Sequence, residues 1–287
     1  MEKQLENNEE KKETKIDLHF FRHSIKSSDQ VSADDTNVLL SDAGKKLAVE
    51  KAFTDVNHNQ AMVFGTERLR TQETGALVMS GDNDDITGNE TLDELKEKIN
   101  KDLKMGSRIG IDNRLNFIYD ENTPFGKLLS ESIDRKEYLK YVVEESDRVA
   151  KELGDTTGAN YSRKAADIAR IIQKYIKMSP RWSDMVNDPK DKYTPTLERY
   201  MATHQGMQES FIAKILEKTD GVEARNKFVE SLNNNGFDYI EGFEAQITNN
   251  PNGDISVDVS YTGKDPKISF KKRVPKALIA EIIAEDK

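Results

Sequence analysis

The sequence predicts an α/β protein: a three-layer sandwich with a mostly parallel central sheet, helices on both faces, a helical insertion at about 122–200 and a C-terminal β-hairpin. Three observations lead there. Strand and helix patterns alternate from Lys15 to Met79, helical periodicity fills the middle of the chain, and period-two alternation returns near the C-terminus.

The first segment, Met1 to Thr14, is almost entirely Glu, Lys, Asn and Gln and reads as a disordered charged tail, with too little apolar surface to offset the entropy of ordering. From Lys15, Ile16, Leu18 and Phe20 alternate with Asp17, His19 and Phe21 as a strand that ends in the polar stretch Ser24 to Asn37. Arg22 and His23 therefore fall at its carboxyl end. Ser41 can cap a helix over Lys45 to Phe53, Ala61 to Gly65 reads as a short strand, and Leu69 to Met79 as a helix. In such sheets ligands collect outside the carboxyl ends of the strands, where His23 and the turn from Thr66 to Arg70 would lie.

The middle of the chain reads differently. Thr91 to Lys104 is a charged helical stretch, followed by a second apolar segment, Ile109 to Tyr119. Phe125 to Met201 reads as mostly helical: Leu139, Val142, Val143, Val149 and Leu153 share a face that stops at Gly154, and Ile168, Ile171, Ile172, Tyr175 and Ile176 share another that stops before Pro180. This block is expected to cap or flank the sheet. After His204, Met207 to Leu216 reads as a helix. Phe243, Ala245 and Ile247, the Pro251-Asn252-Gly253 turn, and Ile255, Val257, Val259 and Tyr261 then predict the hairpin, extended through Ile268 and Phe270. A last helix is expected to start near Pro275.

Composition excludes several classes. At 287 residues and 36% hydrophobic content the chain can bury a large core, and the lack of internal repeats favours one domain over 15–287. A net charge of -9, from 52 acidic and 43 basic residues, gives no footprint for nucleic acid or an anionic membrane surface. No run approaches a membrane span, and the first residues lack the basic-then-apolar order of a signal peptide, so a cytoplasmic location is expected. Zero cysteines remove disulfides, thiol catalysis and thiolate metal sites. His19 and His23 cannot share one metal ion, because four residues along a strand separate them by about 13 Å. His19 and His58 are read as structural or surface residues, and no nucleotide-binding glycine loop or His-Glu-x-x-His is present. Neither metal nor cofactor is expected.

Three segments then stand out: Phe21-Arg22-His23-Ser24, Thr66-Glu67-Arg68-Leu69-Arg70-Thr71-Gln72-Glu73-Thr74 and Ala202-Thr203-His204-Gln205-Gly206. Two imidazoles and two guanidiniums could converge on one pocket. These segments resemble the histidine phosphatase superfamily, also called phosphoglycerate mutase-like, whose members carry Arg-His-Gly after the first strand, Ser-x-x-x-Arg-x-x-x-Thr at the next strand-to-helix junction and a later His. Leu39-Leu40-Ser41-Asp42-Ala43-Gly44 is similar to the family's Leu-Thr-x-x-Gly segment. The matches run in the family's order over roughly half the chain. Ser24 stands where the family has glycine, which is compatible if the backbone there needs no positive φ. Gln205 follows His204 where some members carry an acid.

The resemblance implies a metal-independent phosphomonoester hydrolase of the histidine acid phosphatase type, acting on a phosphorylated small molecule or phosphoprotein. His23 would attack phosphorus and form a phosphohistidine. Arg22 and Arg70 would hold phosphate oxygens through planar forks of N–H donors, and His204 would add a further donor. Lys26 reads as solvated, and Arg68 as pointing away from the strand end. For the proton that the leaving oxygen needs, Leu92-Asp93-Glu94 fits the family's Leu-x-Glu by letters but falls in a lysine-rich helix. Asp112 to Phe117 fits the strand and its exit but puts Phe117 where the Glu would be, leaving Asp120 or Glu121, preferred here, to reach the pocket. A phosphomutase and a catalytically weak partner-binding member are the alternatives. An aryl phosphate assay separates the second from both enzymes, and a panel of phosphosugars and phosphoglycerates separates the enzymes.

Overall fold

The computed structural model describes residues 11–28, 35–81, 83, 85–101, 103, 106–263 and 268–286. The tail expected over Met1 to Thr14 lies outside them up to Glu10. Within them, strand β1 (Thr14–Arg22) already includes Thr14, whose side chain is buried.

Seven strands form one sheet in the order β3-β2-β4-β1-β5-β6-β7. β2 (Met62–Gly65), β3 (Ile109–Ile111) and β4 (Thr196–Thr203) run parallel to β1, and β5 (Gly242–Asn249), β6 (Ile255–Tyr261) and β7 (Phe270–Arg273) complete the sheet by antiparallel pairing. The pleat sorts side chains between two cores. Ile16, Leu18 and Phe20 of β1 and Met201 of β4 join one core, which takes in α7 (Tyr161–Asn187), α8 (Met207–Asp220) and α10 (Lys276–Ala284). Phe21, Tyr200, Ala202 and Val63 join the other, against α1 (Asp42–Glu50), α2 (Leu69–Met79) and α3 (Leu92–Asn100). Helices therefore cover both faces. No helix among the described residues is long and apolar enough to cross a membrane.

Local signals set several boundaries where expected. The Ser41 side chain accepts the Gly44 N–H and starts α1 as its expected cap, so α1 lies three residues earlier at both ends than the Lys45 to Phe53 reading, and α2 spans Leu69–Met79. The helical insertion comprises α4 (Pro124–Asp134), α5 (Tyr138–Glu144), α6 (Ser146–Leu153) and α7, with Gly154 ending α6 at φ 66°.

Other boundaries differ. α7 runs straight through Pro180 to Asn187, because Ser179, Trp182 and Val186 continue its buried face while Pro180 lies exposed. Packing here outweighs the missing N–H. The helical reading to Met201 fails after Asn187, where α7 ends, and β4 starts at Thr196: its partners on either side, β1 and β2, impose the extended form. Ile109 to Tyr119 yields only three strand residues before a 3-10 turn at Asn113–Leu115. A helix not read from the sequence, α9 (Val222–Ser231), follows α8.

β4 sits between β1 and β2, all three parallel, so their carboxyl ends share one edge. Arg22 pairs with Thr203, and the His23 N–H donates to the Thr203 carbonyl at 2.8 Å. Adjacent strands thus deliver His23 and His204 side by side.

Candidate active site

A cleft of about 400 Å³ opens at this edge, lined by Arg22, His23, Arg70 and His204 together with Lys26, Asp35, Arg68 and the rings of Phe117, Tyr119, Tyr138 and Tyr239. His23 and His204 meet edge to face, their ring centroids 5.1 Å apart.

Two hydrogen bonds define the tautomer of His23. Its Nδ1–H donates to the Ser24 carbonyl at 2.6 Å, and its Nε2 accepts from Arg70 Nε at 3.3 Å. The ring is neutral with the Nε2 lone pair toward the cationic pocket. Burial, then the charges of Arg70 and Arg22, push its pKa down to about 3. His204 is held neutral as well, its pKa well below the usual imidazole range through burial first and then His23 and Arg70. Its Nε2 lies 3.1 Å from Thr66 Oγ1.

The first and last threonines of the Thr66-x-x-x-Arg70-x-x-x-Thr74 spacing anchor the cleft. Thr66 contacts His204. Thr74 Oγ1 accepts the Ser24 N–H at 3.0 Å and donates to the Arg70 carbonyl at 2.7 Å, tying the residue after His23 to the helix that carries Arg70. Ser24 replaces glycine without strain, since its φ is not among the positive ones. Its buried hydroxyl donates to the Gly44 carbonyl at 2.7 Å, and a Cβ on Gly44 would lie 2.1 Å from the Ile25 carbonyl oxygen. The Leu39 to Gly44 segment therefore backs the His23 loop.

Arg22 donates from Nη1 to the Phe237 carbonyl at 2.6 Å and stacks over Tyr239 at 4.4 Å. Its Nε is buried with no hydrogen-bond partner among the described residues. Arg70 donates from Nη2 to the Asp35 carboxylate at 2.7 Å and from Nη1 to the Asp35 carbonyl at 2.9 Å. Arg68 Nη1 lies 3.1 Å and Lys26 Nζ 3.6 Å from the same carboxylate. Burial raises the Asp35 pKa, but the hydrogen bond and charge of Arg70, with Arg68 and Lys26, outweigh it and hold the carboxyl below its ordinary value.

The structure places the other expected residues as follows. Arg68 does not point away: β2 ends at Gly65, so strand alternation no longer applies, and the turn closed by the Arg68 N–H on Thr66 Oγ1 returns its side chain to the cleft. Lys26 also lines the cleft. Asp120 and Glu121 do not; both are exposed. Asp120 Oδ1 accepts from the Asn122 N–H and side-chain amide, and its carbonyl accepts the Thr123 hydroxyl that starts α4. Glu121 sits outside, within 3.5 Å of the Tyr119 hydroxyl. Glu94 completes the capping box of α3 with Thr91 and faces solvent. His19 stacks on Tyr200 with centroids 4.9 Å apart and lies 3.3 Å from Glu244, away from the cleft.

Three residues that support the site were not read from the sequence. Glu209 is fully buried and accepts the Gly206 N–H and the Phe237 N–H, each at 2.8 Å. It thereby sets both the turn after His204 and the carbonyl that holds Arg22; burial raises its pKa to about 6. The spacing Gly206-x-x-Glu209 carries that capping signal. Tyr138 donates to the Gln205 carbonyl at 3.0 Å, and Asp35 enters from a polar loop; neither has a local signal. Among the described residues, no group of three His, Asp or Glu side chains is arranged to hold a metal ion.

No protein-family model matches the sequence, and no curated protein does. Solved structures match at low identity. A mycobacterial glucosyl-3-phosphoglycerate phosphatase is 11% identical over 88% of this chain and 100% of its own, with a TM-score of 0.46. A phosphoglycerate mutase from Bacillus anthracis is 13% identical over 94% and 97%, with a TM-score of 0.46. A putative alpha-ribazole-5'-P phosphatase from Escherichia coli is 15% identical over 87% and 96%, with a TM-score of 0.38.

Proposed function

We propose that this chain is a phosphatase of the histidine phosphatase type, hydrolysing a phosphomonoester through a phosphohistidine on His23. The observation that carries the reading is the His23 tautomer: Nδ1–H is committed to the Ser24 carbonyl, and Nε2 keeps its lone pair beside Arg70. A neutral nitrogen poised among guanidiniums is what attack on a phosphate dianion needs.

In this reading the phosphoryl group sits over His23 Nε2, and the guanidiniums of Arg22 and Arg70 bind its equatorial oxygens. These donors are held before substrate arrives, Arg22 by Phe237 and Tyr239, so little reorganisation accompanies charge development. His204 adds a donor as charge builds, turning its Nε2 contact from Thr66 to the phosphoryl oxygen. Water then cleaves the phosphohistidine. The residue after His204 is Gln205, whose side-chain amide donates to the Asn235 carbonyl, so the proton for the leaving oxygen comes from another group.

The test is trapping. Brief exposure to labelled 4-nitrophenyl phosphate should leave acid-labile, base-stable phosphate on the protein and release orthophosphate, and His23→Ala should lose both label and turnover. Turnover that persists in His23→Ala would remove His23 as the nucleophile. Transfer of label to a second hydroxyl of a phosphoglycerate, with no release to water, would favour a mutase.

A further inference from the structure

We propose that Asp35, a residue outside every motif of the sequence, is the group that protonates the leaving oxygen and later deprotonates the attacking water. The proposal rests on the phosphatase reading above. Among the described residues Asp35 is the one carboxylate lining the cleft, and Asp120, Glu121, Glu94 and Glu209 are each placed elsewhere.

Its position suits the task. The carboxylate lies 2.7 Å from Arg70 Nη2 while Arg70 Nε lies 3.3 Å from His23 Nε2, so one guanidinium spans nucleophile and carboxylate. Asp35 fills the anionic position among Arg68, Arg70 and Lys26. A phosphate dianion on those cations takes over their charge. Asp35 is then left beside negative oxygens in a partly desolvated cleft, and both changes favour its protonated form. The exchange primes the acid only when substrate is bound.

The cycle balances. His23 Nε2 forms the bond to phosphorus as the ester P–O bond breaks, and the Asp35 proton goes to the departing oxygen to give the alcohol. Water next attacks the phosphohistidine, Asp35 takes its proton, the N–P bond breaks, and orthophosphate leaves with His23 neutral and Asp35 protonated. Loss of phosphate returns Asp35 to the arginines and its proton to solvent.

The experiment compares Asp35→Asn and Asp35→Glu with the unmodified full chain on an alkyl phosphate, glycerol phosphate, and on 4-nitrophenyl phosphate, whose leaving group needs no proton. The ratio of alkyl to nitrophenyl kcat/KM should fall about 100-fold or more in Asp35→Asn, within the range of general acid catalysis, and recover in part in Asp35→Glu. An equal loss on both substrates would overturn the proposal and leave Asp35 as an arginine-positioning residue. Unchanged selectivity with tighter orthophosphate inhibition would also overturn it, leaving Asp35 a competitor for the anion position. If the unmodified chain fails to turn over 4-nitrophenyl phosphate, it is the phosphatase reading that fails.

Discussion

The hydroxyl of Thr74 accepts the backbone N–H of Ser24 at 3.0 Å, across 50 residues of chain, and so fixes the carbonyl that orients the His23 ring. Both groups are fully buried. Thr74→Val keeps shape and volume but leaves the Ser24 N–H without an acceptor, which should lower stability by about 1–3 kcal/mol. Urea unfolding measures that loss. Turnover should fall at temperatures where the variant stays folded, because His23 loses its fixed orientation; a stable variant with full activity would show that this clamp is dispensable.

The parts of the site that were legible are those set by local pattern. The β1 alternation puts Arg22 and His23 at a strand end, and the spacing from Thr66 to Thr74 puts Arg70 on the first turn of α2 facing them. What escaped depends on contacts between distant segments. β4 begins Thr196-Leu197-Glu198-Arg199, with no clean alternation, and is a strand because β1 and β2 flank it; Glu198 meets the Asn57 N–H and the Tyr200 hydroxyl. Asp35 lies in a polar stretch whose sequence gives no reason to fold onto Arg70. Asp120 and Glu121 were plausible by distance along the chain, yet the Thr123 cap of α4 turns that loop outward.

Arg70 and Arg68 should separate kinetically. Arg70 is 3% exposed and touches His23, so Arg70→Ala should lower kcat about 10²–10³-fold, the usual loss for one preorganised donor to a developing charge. Arg68 is more exposed, at 24%, and among the described residues pairs with Asp35, so Arg68→Ala should mainly raise KM, by less than about tenfold, through weaker anion attraction. Steady-state kinetics on 4-nitrophenyl phosphate decides, and an equal kcat loss in both variants would contradict the division of roles.

Gly206 should resist substitution. Its φ is +91°, and a Cβ there would lie 2.1 Å from the Tyr138 hydroxyl, which holds the Gln205 carbonyl. Gly206→Ala therefore strains the backbone and displaces Tyr138, and should lower stability by about 1–3 kcal/mol while reducing kcat through His204. Gly206→Ala combined with Tyr138→Phe should recover part of the stability, since the clashing oxygen is gone; no recovery in melting temperature would place the strain in the positive φ and in the Phe117 ring, 2.8 Å from the added Cβ.

Stability should fall on the acid side because both imidazoles are buried uncharged. The unfolded chain binds a proton at each near the ordinary value of 6.5, whereas the folded chain does so only far lower, about 3 for His23. The unfolded state therefore holds more protons below pH 6.5, and each histidine removes up to about 1.4 kcal/mol of stability per pH unit there. Glu209 acts in the opposite sense between its ordinary 4.5 and about 6, where the folded chain binds a proton that the unfolded chain releases. Asp35, held low, adds to the loss only below its ordinary 3.8. Burial raises the Glu73 carboxyl as well, in the same sense as Glu209, but both act only as pH approaches the carboxylate range, so the two histidines leave a net fall as pH starts down from about 6.5. Replacing one of them by an uncharged residue, His204→Asn, should shrink the decline in unfolding free energy between pH 7.5 and pH 5 by about 2 kcal/mol, whatever its effect at neutral pH. Urea titrations of both proteins at the two pH values measure this, and parallel declines would mean that His204 is protonated in the folded chain.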